Sequence, residues 1–162
     1  MIFEKSLRQT VEEHGLMAKK ALGQNFLLDQ NVTDKIIRLS LEKQGFNDLS
    51  AFDVLEIGPG PGGLTRAVLS ATPKSLTVIE MDDRCIEIMN ELKDIALCQM
   101  EILNEDALTV DIATLKSQKL QIVSNLPYNI SVPLLTRWLE KTDKIEAMTL
   151  MFQKEVADRI CA

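Results

Sequence analysis

Histidine is nearly absent from this chain of 162 residues: His14 is the only one. That excludes a multi-histidine metal centre, no metal is expected, and His14 itself reads as a surface residue near the start of the chain. Cysteine is scarce as well. Cys85, Cys98 and Cys161 are odd in number and widely spaced, which argues against a disulfide framework or a metal site and for a reducing, cytoplasmic setting. No apolar run is long enough to span a bilayer. Met1 to Thr10 mixes charges without an apolar core, so it does not read as a secretory signal. There is no excess of positive charge either: the net charge is −6, which argues against broad electrostatic binding of nucleic acid by the chain as a whole. The most basic stretch is N-terminal, with Lys5, Arg8, Lys19 and Lys20. Lys19 and Lys20 are candidate RNA contacts, weighed evenly against a plain solvated face.

What is present is ordinary globular material, 46% apolar and 26% charged, in a length that makes one domain with a proper core. Residues 1–30 read as an irregular N-terminal extension and 31–162 as the main domain. A helix opens with Asn31 as its cap, turning Val32, Ile36, Ile37 and Leu41 inward. Strands and helices then alternate: strand 52–57, helix 62–71, strand 75–80, helix 83–92, strand 97–103, a short helical stretch near 109–115, strand 119–124, helix 132–140, strand 146–152, and the start of another helix at 153–162. This alternation predicts an α/β fold, a doubly wound parallel sheet covered on both faces. Cys85, Ile86, Met89 and Leu92 form a helical stripe that reads as core packing, and Trp138 with Leu134 and Leu135 reads the same way.

Three motifs carry chemistry. Asn125-Leu126-Pro127-Tyr128 follows an apolar strand, Leu120 to Val123, so it falls at the carboxyl edge of the sheet, where open α/β sheets bind ligands. An amide oxygen and a backbone carbonyl can each accept a hydrogen bond from an exocyclic amine, and the tyrosine ring can stack on a base. Upstream, the loop at Gly58, Gly60, Gly62 and Gly63 links a strand ending in Glu56-Ile57 to a helix, the strand–loop–helix unit of nucleotide-binding folds. The following strand ends at Glu80, where a carboxylate can hold both hydroxyls of a ribose. The loop alone allows a dinucleotide or S-adenosylmethionine. Asp106, after the third strand, favours S-adenosylmethionine through its adenine amine, against a turn-residue reading in Asn104-Glu105-Asp106.

Taken together, these residues resemble the KsgA-type ribosomal RNA adenine N6,N6-dimethyltransferases of the small subunit. The resemblance runs from about Lys20 to the end and rests on Leu22-Gly23-Gln24-Asn25-Phe26-Leu27, Glu56-Ile57-Gly58-Pro59-Gly60, Val78-Ile79-Glu80, Asn125-Leu126-Pro127-Tyr128-Asn129-Ile130-Ser131 and Gln153-Lys154-Glu155-Val156-Ala157-Asp158-Arg159, five blocks in order. It implies a class I, Rossmann-like S-adenosylmethionine-dependent methyltransferase fold with a mostly parallel sheet. It implies cofactor contacts at Asn25, Leu27, Gly58, Gly60, Glu80, Asp106 and Asn125, with Glu56 supporting the loop and Met81 packing on the cofactor adenine. Asn125, Leu126, Pro127 and Tyr128 are the implied catalytic turn, and residues 1–30 are expected to contribute to the cofactor and RNA site. Family members continue past this end with further strands, a proline-rich loop and a small helical domain, so the chain is expected to be the N-terminal catalytic portion, truncated before the last strands.

The implied function is dimethylation of two adjacent adenosines near the 3′ end of small-subunit (16S) rRNA during ribosome biogenesis, by a cytoplasmic monomer with no membrane association. Three alternatives remain. Erythromycin-resistance methylases of 23S rRNA share the Asn-x-Pro-Tyr strand end, although Gln153 to Ala157 is more similar to the small-subunit enzymes. A non-catalytic ribosome-assembly factor could keep the fold, but the complete motif set speaks against lost catalysis. A dinucleotide-dependent oxidoreductase would not need the Asn125 turn.

Overall fold

The computed structural model describes residues 3–16 and 27–162; Lys19, Lys20 and Asn25 lie outside the described residues. The N-terminal extension is not irregular throughout. Residues Leu7–Glu13 form a helix, α1, opened by Ser6, whose hydroxyl accepts from the Gln9 amide while the Gln9 side chain accepts from the Ser6 amide. This reciprocal cap satisfies two backbone donors that a helix start otherwise leaves unpaired. Leu7, Thr10 and Val11 turn inward. Arg66, itself buried, donates to the Lys5 carbonyl at 2.7 Å and the Thr10 hydroxyl at 3.1 Å and lies 4.8 Å from the centre of the Phe3 ring.

Helix α2 spans Gln30–Gln44 and is capped by Asp29, whose carboxylate accepts from the Asn31 amide; Asn31 is inside the helix and is not the cap. Its inward face is Thr33, Ile37 and Leu41, while Val32 is 44% exposed. Ile37 and Leu41 thus face inward as expected and Ile36 packs against the core, whereas Thr33 takes the place expected of Val32; positions 33, 37 and 41 are four apart and share one face.

Five strands follow: β1 (Asp53–Ile57), β2 (Ser75–Ile79), β3 (Gln99–Leu103), β4 (Leu120–Asn125) and β5 (Ile145–Met151). All pair in parallel, in the order β3-β2-β1-β4-β5. Between them lie α3 (Gly63–Ser70), α4 (Asp83–Ile95), α5 (Ser131–Leu139) and, after β5, α6 (Lys154–Ile160). One sheet face packs on α2, α3 and α4 through Val54, Leu76, Val78, Met100 and Val123. The other carries Leu55, Ile57, Ile79 and Ile122 against Leu134 and Trp138 of α5. In α4 the buried stripe is Cys85, Ile88, Met89 and Leu92, so Ile88 takes the place expected of Ile86; i, i+3, i+4 and i+7 share a helical face and i+1 does not.

Cover on the second face is incomplete. The β3–β4 connection holds only a three-residue 3-10 turn, Ile112–Thr114, too short to lie across β2 and β3. A polar hollow of about 960 Å³ remains there, floored by Asp53, Ser75, Thr77, Gln99 and Glu101. Both Asp53 oxygens are engaged, by the hydroxyls of Ser75 (2.6 Å) and Ser117 (2.8 Å).

Helix α2 is keyed to the sheet by polar contacts. The Gln121 amide, 1% exposed, donates to Gln44 Oε1 at 2.9 Å, and the Ser40 and Thr149 hydroxyls meet at 2.6 Å. Among the described residues, no helix is long and apolar enough to cross a membrane.

Candidate active site

The chain enters the sheet at β1, builds outward to β2 and β3, then returns to lay β4 on the other side of β1. The strand order reverses there, which is where ligands bind in such sheets. The paired register of β1 and β4 stops at Leu55 opposite Ile122, whereas β1 pairs with β2 out to Ile57 and β4 with β5 out to Asn125. The two central strands therefore part at their carboxyl ends and open a crevice. The Ser124 hydroxyl, fully buried, spans the gap to the Ile57 carbonyl at 2.7 Å. This residue was not singled out from the sequence; its partner is too distant along the chain for any local pattern to reveal it.

The glycine loop forms one wall of the crevice. Gly58 donates its amide to the Ile79 carbonyl at 2.9 Å, and its α-carbon faces the Pro127 ring. Gly60 donates its amide to Glu80 Oε2 at 3.2 Å. Glu80 Oε1 accepts from the Met81 and Asp82 amides at 2.8 and 2.9 Å. The carboxylate of Glu80, 8% exposed, thus joins the loop to the turn that follows β2. Gly63 opens α3 beneath the carbonyl of Leu27: a Cβ on Gly63 would lie 2.2 Å from that oxygen. Close approach of backbone explains a glycine here. Gln30 Nε2 donates to the Gly63 carbonyl at 3.3 Å and reinforces the contact.

Glu56 lies two residues beyond Val54 and so on the same face as α3. It is 1% exposed, and its Oε2 accepts from the Thr65 hydroxyl of α3 at 2.7 Å. Burial pushes its carboxyl up to about 8; the Thr65 hydrogen bond works the other way, and the nearby negative charge of Glu80 adds to the rise. Burial thus holds this acid in its neutral form near pH 7.

The other wall is the turn after β4. Asn125 ends that strand opposite Met151, Leu126 is 7% exposed, and Tyr128 is 61% exposed. The Ser131 hydroxyl donates to the Tyr128 carbonyl at 3.1 Å and ties the turn to the first residue of α5. Met81, on the same edge after β2, is 64% exposed. Asp106, after β3, uses Oδ1 to accept from the Leu108 amide at 2.9 Å, and its carbonyl accepts from Thr109; this is the turn geometry weighed from the sequence. Described contacts thus bring Leu27, Glu56, Gly58, Gly60, Glu80 and Pro127 around one loop, whereas Met81, Asp106 and Tyr128 line the same sheet edge. Among the described residues, no group of three or more His, Cys, Asp or Glu side chains is placed to hold a metal ion. His14 is not a free surface residue. Its side chain is 10% exposed, with Nδ1 2.9 Å from the Thr10 carbonyl and Nε2 3.2 Å from Glu91.

This arrangement is matched in known proteins. The family model described as ribosomal RNA adenine dimethylase matches residues 15–162. The chain belongs to the ribosomal RNA adenine dimethylase family. Similar curated relatives include ribosomal RNA small subunit methyltransferase A of Paramagnetospirillum magneticum, 49% identical over 96% of this chain and 53% of that protein. The same-named protein of Gluconobacter oxydans is 46% identical over 97% of this chain and 50% of its own length. The chain thus spans about half the length of the curated relatives it matches. Among solved structures, a dimethyladenosine transferase from Plasmodium falciparum superposes with a TM-score of 0.67 at 29% identity, covering 83% of this chain and 45% of the other. The 23S rRNA methyltransferase ErmE superposes with a TM-score of 0.67 at 28% identity, covering 82% and 50%. The five-stranded parallel sheet with its glycine loop is thus the S-adenosylmethionine-dependent methyltransferase fold of this dimethylase family.

Proposed function

We propose that this chain carries the catalytic site of an S-adenosylmethionine-dependent rRNA adenine N6,N6-dimethyltransferase acting on two adjacent adenosines near the 3′ end of small-subunit rRNA. The observation that carries the reading is a junction. The glycine loop, with two buried acids beside it, abuts the Asn-Leu-Pro-Tyr turn through Gly58 and Pro127.

The Glu80 carboxylate supports the choice of cofactor. A dinucleotide would bring a pyrophosphate to the start of α3, near the Glu80 carboxylate that anchors the glycine loop. S-adenosylmethionine instead carries an ammonium and a sulfonium, which that carboxylate attracts. Glu80 would face the ribose: a carboxylate has about four acceptor positions, backbone amides fill three here, and the fourth is left for a ribose hydroxyl. The backbone of Gly58 and Gly60 and the carbonyl side of Leu27 would line the methionine half. Met81 and Asp106 would meet the adenine, with Asn25 as a further contact. When bound, the sulfonium supplies an electrophilic methyl group.

The rest of the task is done by this chain's own groups. The lone pair of adenine N6 is delocalised into the ring, so the amine is a poor nucleophile. The Asn125 side-chain oxygen and the Leu126 carbonyl would accept its two hydrogens, favour a pyramidal nitrogen and aim its lone pair into the crevice. The same oxygens would stabilise positive charge developing on N6. Pro127 stiffens the turn, and Tyr128, exposed at its tip, would stack on a base turned out of its helix. Positioning then supplies much of the rate, and a strong general base is not required. Residues 1–30, with Lys19 and Lys20, would form part of the cofactor and RNA surface, the remainder of the chain being the methyltransferase domain. The protein would work as a cytoplasmic monomer on the immature small subunit.

Acceptor choice tests the substrate. Incubated with labelled S-adenosylmethionine and either unmethylated small subunits or 23S rRNA, the protein should label the small subunits. Label confined to 23S rRNA would move the reading to the erythromycin-resistance type, and binding of NAD in place of S-adenosylmethionine would overturn it.

A further inference from the structure

Arg84 occupies the first turn of α4, where a cation opposes the helix dipole, so its place there calls for a specific set of contacts. It has them. Nε and Nη2 donate to Oδ1 and Oδ2 of Asp82 at 3.0 and 2.6 Å, a two-pronged pair, and Nη1 reaches the Gly15 carbonyl at 3.2 Å. Asp82 also caps α4 by accepting from the Arg84 amide at 3.0 Å, and its own amide donates to Glu80 Oε1 at 2.9 Å. The second Glu80 oxygen takes the Gly60 amide at 3.2 Å. A continuous chain of hydrogen bonds therefore runs from the N-terminal arm through Arg84, Asp82 and Glu80 to the glycine loop. The two side chains of the ion pair are 31% and 20% exposed. A single surface ion pair does little for stability, but a fork-on-fork pair fixes orientation as well as charge.

We infer that Arg84 is a positioning residue for the cofactor, acting through Asp82 to hold the Glu80–Asp82 turn in the shape that presents the Glu80 carboxylate, and docking the N-terminal arm beside it through Gly15. It touches no reacting atom. The inference rests on the reading of Glu80 as the ribose acid. It expects the guanidinium to matter for cofactor affinity and little for the chemical step, and lysine, with its point charge, to substitute only in part.

The test uses the full chain with Arg84→Gln, Arg84→Lys and Asp82→Asn, the last keeping a good helix cap should the arginine variants fold poorly. Calorimetry with S-adenosylmethionine should give dissociation constants raised about three- to tenfold for Arg84→Gln and Asp82→Asn, with Arg84→Lys between them and the parent. KM for S-adenosylmethionine should rise in step while kcat holds, and amide hydrogen exchange at Met81 and Asp82 should quicken. Parent-like affinity and exchange in both Arg84→Gln and Asp82→Asn, beside a parent that binds S-adenosylmethionine, would overturn the positioning role alone. A parent that does not bind S-adenosylmethionine would overturn the role and the cofactor reading together.

Discussion

Gly58 sits against Pro127 so closely that a methyl group on its α-carbon would lie 3.2 Å from Cγ and 3.5 Å from Cδ of the proline ring. Gly58 begins the glycine loop and Pro127 stiffens the turn after β4, so this contact sets the spacing of the two walls of the crevice. Gly58 also has a φ of +60°, a left-handed conformation that costs an L-residue about 1–2 kcal/mol. Gly58→Ala should therefore lower stability by about 1–2 kcal/mol and reduce methyl transfer further than the stability loss explains, because the Asn125 turn is pushed away. Denaturant unfolding together with kcat/KM checks this; a stable variant with parent-like turnover would show that the wall spacing is unimportant.

Glu56 makes the protein pH-sensitive in a stated direction. Its carboxyl is raised in the folded state from about 4.5 to about 8, chiefly by burial. The folded protein therefore holds this proton more tightly than the unfolded chain. The resulting stability is fully present below about pH 4.5 and is lost as pH rises to about 8, by an amount on the order of a few kcal/mol. Glu56→Gln removes this dependence. Urea unfolding of parent and variant from pH 5 to pH 9 should show the variant gaining on the parent as pH rises; parallel curves would contradict a buried, proton-holding Glu56.

Glu80→Ala removes the acceptor for three backbone amides, those of Gly60, Met81 and Asp82. The glycine loop and the turn after β2 lose their common anchor. The main effect should fall on cofactor affinity, with a dissociation constant raised on the order of tenfold or more, since hydrogen bonds to a charged group are among the stronger ones. Unchanged affinity by calorimetry would count against the ribose role.

The paired amides of Gln44 and Gln121 test how α2 is held. Gln121→Ala takes the donor away from Gln44 Oε1 while Gln44 Nε2 keeps Ser40, and an acceptor left unpaired at a half-buried position costs on the order of 1 kcal/mol. Gln121→Leu with Gln44→Leu together should recover most of the loss, because neither position then leaves a partner unsatisfied. Equal losses in the single and double variants, measured by chemical unfolding, would show that the pair contributes packing alone.

The alternation of strands and helices was legible because period-two and period-3.6 apolar patterns are local. The positions of Glu56 near the end of β1, Glu80 just beyond β2 and Asn125 at the end of β4 followed directly from it. Helix α1 was not expected because its inward face holds just two apolar residues, Leu7 and Val11, beside Thr10, too few for a periodic pattern; the Ser6 and Gln9 spacing was the signal that could have found it. Asp29, the true cap of α2, stands two residues before Asn31, and both are good capping residues, so sequence alone offers no choice between them. Ile88 and Ile86 differ only in helical phase. Ser124, Arg66 and Arg84 stayed hidden for another reason: Ser124 and Arg66 act on Ile57 and on Lys5 and Thr10, and Arg84 reaches back to Gly15, far along the chain.

Transfer of labelled methyl from S-adenosylmethionine to small ribosomal subunits lacking the modification, followed by digestion to nucleosides, tests the central claim most directly, with Asn125→Ala measured alongside. The parent should place label in N6,N6-dimethyladenosine. The variant should keep its fold and cofactor binding while losing transfer by on the order of a hundredfold or more, the scale seen when one charge-stabilising group is removed from an active site. Label in another nucleoside, or near-parent turnover without the Asn125 amide, would contradict the account.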